Sequence, residues 1–447
     1  MKISRHLKLL AALLAALTLI GCDQGQKSLG KSRVTIVNAA PSFAQLWYQR
    51  ERPIGVQPDA LAFKAVTAAD YDIDTYDFYA YHRRVATQEV LNTWTWVKQL
   101  VADQNYTFVL TEVAGQITTQ IVEYTPKAAN STDSQIAVVH AGETLPAMDV
   151  YVQPTGAGIV GASPRGTVNF QGQVTPKSLA SGAYEITLTA AGDPNNVLFA
   201  SSAVTLAAGA TNVLVIANEA GQGTQAISLI VAQDNSYVLY SANAGSGVRA
   251  LNLAADGAAR DFATNHEYAP PILPAIPFGT ITNYVNVAAN SALPITVTPA
   301  GNSGVLELDG QLTALAGTLS TVMFAGPAGT LTPQIVTDDR RRITSEAKLR
   351  WFNGAAQFTT LTEMVLAPVG GDQATVLATT ALGAPALTDY LYWTPGAYDL
   401  YFRETTTNTV RAGPIHVNLV SGGIYGILTL NGPDTATINV SFADDAP

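Results

Sequence analysis

Residues 135–152 read QIAVVHAGETLPAMDVYV: an apolar run that ends at His140, a turn of small and polar residues, and a second apolar run. Short apolar runs bounded by turn residues are typical of β-strands. The stretch therefore predicts a strand, a turn and a strand. An alternative is a reacting site that His140 forms with the nearby carboxylates of Glu143 and Asp149.

The same pattern opens three further segments of the chain. The four copies are RVTIVNAAPSFAQLWYQ from Arg33, QIAVVHAGETLPAMDVYV from Gln135, SYVLYSANAGSGVRALNLA from Ser236 and KLRWFNGAAQFTTLTEMVLAP from Lys348. A later aromatic-rich block also recurs in order, as TYDFYAYHR, GAYEITLT, NYVNVAAN and GAYDLYFRE. Self-similarity at a nearly fixed period indicates repeated structural units. The sequence therefore predicts four tandem units.

The size of the unit indicates its fold class. A unit of about 100 residues with roughly seven short strands has the size and rhythm of an Ig-like sandwich. The 36 Gly and 23 Pro residues suit the many turns that such a fold requires. We expect an all-β chain, a tandem array of four Ig-like antiparallel β-sandwich domains after an N-terminal signal peptide. The expected domains are residues 33–130, 134–235, 236–340 and 345–447.

The linkers between units differ in length and polarity. TPKAANSTDSQ joins the first two units, AQDNS joins the second and third, and DDRRRITSE precedes the fourth. Because AQDNS is the shortest, we expect the middle pair of units to be the most rigidly coupled. The basic run Arg340–Arg342 follows two aspartates and is interpreted as a solvated linker.

The N-terminus has the features of an export signal. MKISRHLKLLAALLAALTLIGC has a basic start, an apolar run too short to span a bilayer comfortably, and a small residue before Cys22. LIGC resembles the lipobox of bacterial lipoproteins, which implies cleavage before Cys22 and its acylation. Residues 1–21 are then a lipoprotein signal peptide, and residues 22–32 a flexible tether.

The implied address is the bacterial cell envelope, where the lipid anchors the chain to a membrane and the domains face the periplasm or the cell surface. By resemblance to enterobacterial lipoprotein sorting, Asp23 beside the acylated cysteine favours the inner membrane. The choice between inner and outer membrane stays open.

Charge and cysteine content exclude several functions. The net charge is -10, so the chain repels phosphate backbones and nucleic acid is not an expected partner. Cys22 is the single cysteine, which excludes intrachain disulfides and cysteine-based zinc sites.

Several motifs of the second unit carry a family resemblance. IAVVHA, DVYV, SGAYEITLTAAG and LAAG, within residues 134–219, resemble the bacterial domain of unknown function 4397 family. The resemblance implies a secreted or lipid-anchored envelope protein of β-sandwich type, often with domains in tandem. The family brings no established catalytic residues, so none is assigned here.

Two groups of residues in the first unit are candidate binding sites. Asp70, Asp72 and Asp74 project to one face of a strand, which is either a solvated face or a weak calcium site, although the chain lacks the remaining EF-hand ligands. Trp94 and Trp96 in NTWTWV also share one face of a strand. They are either core residues or a flat ligand platform, for example for sugar rings.

Two common hydrolase motifs are missing from the sequence. It contains no Gly-x-Ser-x-Gly and no His-Glu-x-x-His, and its five histidines lie far apart. We therefore expect no enzyme, no catalytic residue, no cofactor and no committed metal site. The expected function is a binding, adhesion or structural module with an envelope protein or glycan as partner. The alternative is a carbohydrate-recognition subunit, or an enzyme whose site lies in an insert of the first or third unit. The insert of the first unit is QRERPIGVQPDALAFKAV, and the proline-rich insert of the third is AARDFATNHEYAPPILPAIPFGT.

The repeats also decide the question about His140. In the aligned copies its position is occupied by Asn38, Asn243 and Asn353. Asn cannot replace a titrating base or a histidine metal ligand, but it shares hydrogen-bonding capacity and tolerance of turns. His140 is therefore predicted to be a polar residue at a strand end that fixes the following turn.

Overall fold

The computed structural model describes residues 30–50, 59–85, 87–128, 130–219, 226–233, 235–358, 360–371, 381–434 and 436–444. Every regular element within these ranges is a β-strand. The signal peptide, Cys22 and most of the tether lie outside them, as do residues 51–58 of the first insert. Among the described residues, no helix has the length and apolarity needed to cross a membrane.

The first unit is a sandwich of two four-stranded sheets. Its strands are β1 (Lys31–Asn38), β2 (Gln45–Arg50), β3 (Asp59–Ala62), β4 (Val66–Asp72), β5 (Thr75–Arg83), β6 (Val90–Gln99), β7 (Asn105–Val113) and β8 (Gln116–Tyr124). The sheet orders are β4-β1-β7-β8 and β3-β2-β5-β6. Apolar residues of both inner faces, including Phe78 and Phe108, form the core between the sheets.

The second unit has two five-stranded sheets. Its strands are β9 (Asp133–His140), β10 (Met148–Pro154), β11 (Gly166–Val168), β12 (Gln173–Ala180), β13 (Gly182–Ala190), β14 (Asp193–Ala200), β15 (Val204–Leu206), β16 (Thr211–Asn218), β17 (Ile227–Ala232) and β18 (Tyr237–Leu239). One sheet has the order β12-β9-β16-β17-β18, and the other β11-β10-β13-β14 with β15 on β13.

The boundary between the second and third units differs from the sequence prediction. Strand β18 pairs antiparallel with β17, so the SYVLY segment completes a sheet of the second unit. The first strand of the third unit begins at Ser246 rather than at Ser236. The short apolar segment was compatible with either unit, because strand pairing and not composition decides to which sheet it belongs.

The third unit repeats the two-sheet arrangement. Its strands are β19 (Ser246–Ala254), β20 (Arg260–Ala263), β21 (Leu273–Ile276), β22 (Val285–Val287), β23 (Asn290–Pro299), β24 (Leu308–Ala314), β25 (Leu319–Gly326) and β26 (Thr332–Asp338). The sheet orders are β22-β19-β25-β26 and β21-β20-β23-β24. The proline-rich insert of this unit thus contributes β21 to a sheet.

The fourth unit closes the described chain. Its strands are β27 (Ala347–Gly354), β28 (Thr362–Pro368), β29 (Ala386–Leu387), β30 (Leu391–Trp393), β31 (Gly396–Glu404), β32 (Val410–Leu419), β33 (Ile424–Asn431) and β34 (Ile438–Asp444). One sheet has the order β29-β27-β33-β34, with β30 on β27, and the other β28-β31-β32.

One topology recurs in all four units. The first strand of each unit pairs in parallel with a late strand, in the pairs β1–β7, β9–β16, β19–β25 and β27–β33. That late strand then pairs antiparallel with the strand that follows it. The expected all-β tandem array of four sandwiches is confirmed, with sheets that are antiparallel apart from this one parallel pair per unit.

The units pack in two pairs, which the linker lengths did not predict. The outer face of β4-β1-β7-β8 packs on the outer face of β12-β9-β16-β17-β18, where Val37 and Val109 meet Val139 and Val215. A second apolar cluster joins the third and fourth units. The first and second units, and the third and fourth, are therefore coupled by sheet-on-sheet packing despite their polar linkers.

Candidate functional site: the junction of the first and fourth units

The basic run Arg340–Arg342 is not a solvated linker as the sequence suggested. Arg341 is 4% exposed, and the neighbouring Ile343 and Glu346 are also buried. The guanidinium of Arg341 forms an ion pair with Asp339 at 2.7 Å. A guanidinium loses its hydration when buried, so it requires partners such as these. The linker is thus a packed part of the protein.

The partners of this linker lie on the first unit. Arg341 Nη1 donates hydrogen bonds to the carbonyl oxygens of Pro41 and Phe43, both at 3.1 Å. Its guanidinium carbon lies 4.7 Å from the ring centroid of Phe63. Next along the linker, the amide of Thr344 donates to the carbonyl of Ser42 at 3.2 Å. The segment that enters the fourth unit is therefore attached to the first.

A cleft of about 460 Å³ opens beside this attachment. The first unit contributes Phe43, His82 and Arg84, the linker contributes Ser345, and loops of the fourth unit contribute further polar residues. His82 lies at the end of β5, where strand alternation points it inward, and its Nε2 is 2.9 Å from Ser345 Oγ. Three parts of the chain therefore build this cleft together.

Burial shifts the pKa of two titratable groups in and beside the cleft toward their uncharged forms. Burial lowers the pKa of His82 to about 4, and the Arg84 guanidinium acts in the same direction. Burial raises the pKa of Glu346, against the backbone hydrogen bond that Val85 donates to it. His82 is therefore a neutral imidazole at pH 7, because desolvation disfavours its charged form.

The His82–Ser345 pair lacks the third group of a catalytic triad. In a triad a carboxylate accepts the other imidazole N–H and holds the ring in one tautomer. His82 Nδ1 has no hydrogen-bond partner among the described residues.

A buried ion network joins the third and fourth units and was missed in the sequence. Arg350 pairs with Asp338. Arg249 lies 2.7 Å from Asp444 and donates from Nε to Thr321. An arginine inside an apolar strand, as in VRALNLA and KLRWFN, could have predicted this network. A charged side chain at such a position needs a buried partner.

His140 is placed as the repeats indicated. It is fully buried at the end of β9, and its Nε2–H donates to the carbonyl of Pro146 in the following turn at 2.9 Å. Burial lowers its pKa. Glu143 accepts a hydrogen bond from the amide of Ala114 in the first unit, and Asp149 accepts from the Thr167 hydroxyl and Gly192 amide. These carboxylates have structural partners of their own.

The residues equivalent to His140 in the other three units are asparagines, but in the third unit the asparagine differs from the predicted one. Asn38, Asn252 and Asn353 each accept, through Oδ1, the amide hydrogen two residues on, at 3.0, 3.0 and 3.2 Å. In the third unit the position thus belongs to Asn252 at the end of β19, and not to Asn243. The difference follows from the shifted boundary of that unit.

The three candidate calcium ligands do not converge. Asp70 and Asp72 lie on β4, and Asp70 Oδ1 is 3.2 Å from Arg33 Nη1. Asp74 lies in the turn after β4, where its Oδ1 accepts the amide hydrogen of Thr75. Within the described ranges, no three His, Cys, Asp or Glu residues form a group that could hold a metal ion.

Trp94 and Trp96 face the interior of the first unit. Both are half-buried on β6 and pack against its core. The Trp96 ring stacks on Phe78 with centroids 5.8 Å apart, and Trp94 meets the edge of Phe43 at 5.8 Å. These contacts favour the core-packing interpretation of the two residues.

Three of the solved structures that match this chain have TM-scores of 0.15 or less. A leucine-rich repeat protein from Bacteroides thetaiotaomicron is 12% identical over 41% of this chain, with a TM-score of 0.14, and the chain spans only 25% of that protein. The Bacillus anthracis TIE protein is 10% identical, with 90% of this chain and 68% of that one covered and a TM-score of 0.15. The pilus adhesin SpaC from Lactobacillus rhamnosus GG is 10% identical, with 92% and 42% covered and a TM-score of 0.12. TM-scores this low support no shared fold.

Sequence comparisons give one family. No curated protein matches the chain. The profile of the family described as domain of unknown function (DUF4397) matches residues 246–362, which begin at β19 and extend into the fourth unit. The motifs quoted above placed the strongest resemblance at residues 134–219 instead. Through its third unit, the chain resembles the DUF4397 family.

Proposed function

We propose that this protein is a non-catalytic, lipid-anchored envelope protein whose four β-sandwiches act together as one binding, adhesion or structural module. The observation that carries the proposal is the attachment of the arginine linker to the first unit. Arg341 joins Pro41 and Phe43 to the segment that enters the fourth unit. Units fixed in this way present loops from several sandwiches in one arrangement.

The packing between units supports a rigid module. Apolar side chains such as Val37, Val139 and Phe352 are fully buried although they lie on outer faces of sandwiches. Burial of a Val or Phe side chain contributes about 1.5–3 kcal/mol, so a cluster of them disfavours separation of the units. Rigid presentation suits a module that holds a partner or transmits load.

The proposed location of the module in the cell envelope is based on the N-terminal sequence. The basic start, the apolar run and the LIGC motif before Cys22 support export and lipidation. The acidic, weakly charged composition supports a partner other than nucleic acid, such as an envelope protein or a glycan.

Fractionation and capture test the two parts of the proposal. The unmutated chain is expected in the membrane fraction, and Cys22→Ser in the soluble fraction. For capture, the immobilised mature chain is exposed to solubilised envelope extract beside two variants, Arg341→Ala and the control Arg33→Ala. Unmutated chain and control are expected to retain the same protein or glycan, and Arg341→Ala less of it. Turnover in a hydrolase panel, or no retention by the unmutated chain, would contradict the proposal.

A further inference from the structure

A strip of aromatic side chains lies on the outer face of the sheet β3-β2-β5-β6. Along β5, Phe78 and Ala80 are buried in the core, so strand alternation directs Tyr79 and Tyr81 outward, where both are half-buried. Their rings are parallel within 13°, with centroids 6.1 Å apart. Trp47 of β2 pairs with Tyr81 in the sheet register. None of these three rings belongs to a core cluster of the described residues.

The other units show that the sandwich does not require this strip. At the corresponding cross-strand position the second unit has the pair Asp149–Thr189, and the fourth unit has Glu363–Arg403. The outward pair of the third unit on the same sheet is Asp261–Thr298. Four copies of one fold thus carry polar pairs in three cases and Trp47–Tyr81 in one. Fold stability therefore does not account for the aromatic pair.

Polar groups accompany the rings. The Arg83 guanidinium lies 5.0 Å from the Trp47 ring centroid and 5.7 Å from that of Tyr81. Trp47 Nε1 and Arg83 Nε have no acceptor among the described residues, although both are buried donors. An unsatisfied buried donor is costly, so a ligand that brings an acceptor gains from pairing with it. The strip thus combines ring surface with unused donors.

We propose that this strip, Trp47, Tyr79, Tyr81 and Arg83, binds an oligosaccharide. A sugar ring offers C–H groups that pack on aromatic faces, and its oxygens accept from Trp47 and Arg83 once the groups that cover these two donors move aside. A proline-rich peptide also packs on aromatic residues, but it docks into a groove between them. Parallel rings on a sheet face form no such groove. The inference rests on the proposed function, since it names the ligand class of the binding module.

Titration calorimetry with the full mature chain tests the assignment. The probes are cellohexaose, chitohexaose and an oligogalacturonate, with decaproline as the peptide probe. At least one sugar is expected to bind, and Trp47→Ala and Tyr81→Ala are each expected to weaken it by roughly tenfold. Trp47→Tyr retains a ring and restores part of the affinity. The control is Tyr401→Ala, which removes an outward tyrosine of β31 paired with Val365.

The outcomes separate this inference from the proposed function. Binding by no sugar probe, equal affinity in Trp47→Ala, or binding of decaproline alone overturns the oligosaccharide assignment. If the unmutated chain and Trp47→Ala capture the same envelope partner equally, the module stands and the strip is not its site. The thermal midpoint of each variant is measured in parallel, and Trp47→Phe supplies a second test if Trp47→Ala fails to fold.

Discussion

Arg341 donates a hydrogen bond to the backbone carbonyl of Phe43 at 3.1 Å, across 298 positions of the chain. The same guanidinium pairs with Asp339 and covers the ring of Phe63. One side chain thus joins the linker before the fourth unit to the first unit. This contact and the two apolar interfaces explain how four separately closed sandwiches form one body.

Loss of Arg341 is expected to destabilise the whole chain. Arg341→Ala leaves Asp339 with only the Lys348 ammonium, 3.7 Å away, and leaves the Pro41 and Phe43 carbonyls without this donor, so we expect a loss of about 3 kcal/mol in the free energy of unfolding. Arg341→Lys keeps the charge but cannot reproduce the guanidinium geometry, so its loss is intermediate. Urea titration measures both. The control Arg33→Ala breaks the exposed pair with Asp70 and costs less than about 1 kcal/mol. Equal losses in Arg341→Ala and Arg33→Ala would contradict the packed linker.

His140 is expected to tolerate asparagine better than phenylalanine. His140→Asn introduces the residue that the other three units use, and we expect a loss of about 1 kcal/mol or less. His140→Phe keeps a ring but leaves the Pro146 carbonyl without its donor, at a cost of about 1–3 kcal/mol. Thermal unfolding of both variants compares them. The reverse order would show that ring packing, and not the hydrogen bond to the turn, fixes this residue.

Stability is expected to fall as the pH falls below about 6.5. The folded protein holds the pKa of His82 at about 4, below the ordinary value of 6.5, so the unfolded chain binds more protons between these values. Its contribution is fully present above pH 6.5 and is lost toward pH 4. Burial lowers the pKa of His140, which acts in the same direction. Glu346 acts oppositely near its own titration, because burial raises its pKa.

Unfolding titrations at pH 7 and 5.5 span the interval in which the unfolded chain protonates its histidines and the folded chain leaves His82 neutral. The free energy of unfolding of the unmutated chain is expected to decrease over this interval. His82→Asn reduces the decrease, and the double variant with His140→Asn reduces it further. An unchanged slope in the double variant would show that other groups cause the pH dependence.

Trp96 is expected to act in stability and not in ligand binding. It stacks on Phe78 and meets the edge of Phe108 with centroids 5.9 Å apart, so Trp96→Ala removes core contacts and costs about 3 kcal/mol. Thr95→Ala, on the opposite and exposed face of β6, changes stability by about 0.5 kcal/mol or less. Denaturant unfolding with sugar titration checks both effects. A stable Trp96→Ala that loses sugar binding would restore the platform interpretation for this residue.

The repeats made the architecture predictable. It was harder to derive which face of each strand points inward and which surfaces of the four units pack together. Trp94 and Trp96 share a face with Asn92 and Lys98, while the opposite face carries Leu91 and Val97, so alternation alone did not decide which face is inward. The outward aromatic strip was overlooked for the same reason. Its signal was a comparison of copies, since GAYEITLT has Thr189 and GAYDLYFRE has Arg403 where TYDFYAYHR has Tyr81.

The sequence of the strands indicated that the units pack together, although the lengths of the linkers suggested a different coupling. Strands buried on one face alternate, but β9 and β17 contain the continuous apolar runs IAVV and LIVA. Continuous runs indicate burial on both faces. Arg341 offered no such signal, because its partners at Pro41 and Phe43 are backbone carbonyls far away in the sequence. Composition describes the linker as polar but does not identify the surface on which it packs.

Small-angle X-ray scattering of the mature chain tests the central claim, that the four sandwiches are one fixed body. For the unmutated chain we expect the radius of gyration and the maximum dimension that are calculated from the structure, and we expect both to be the same at low and high salt. In Arg341→Ala we expect both to increase. A larger, salt-dependent radius in the unmutated chain, typical of beads on flexible linkers, would contradict it.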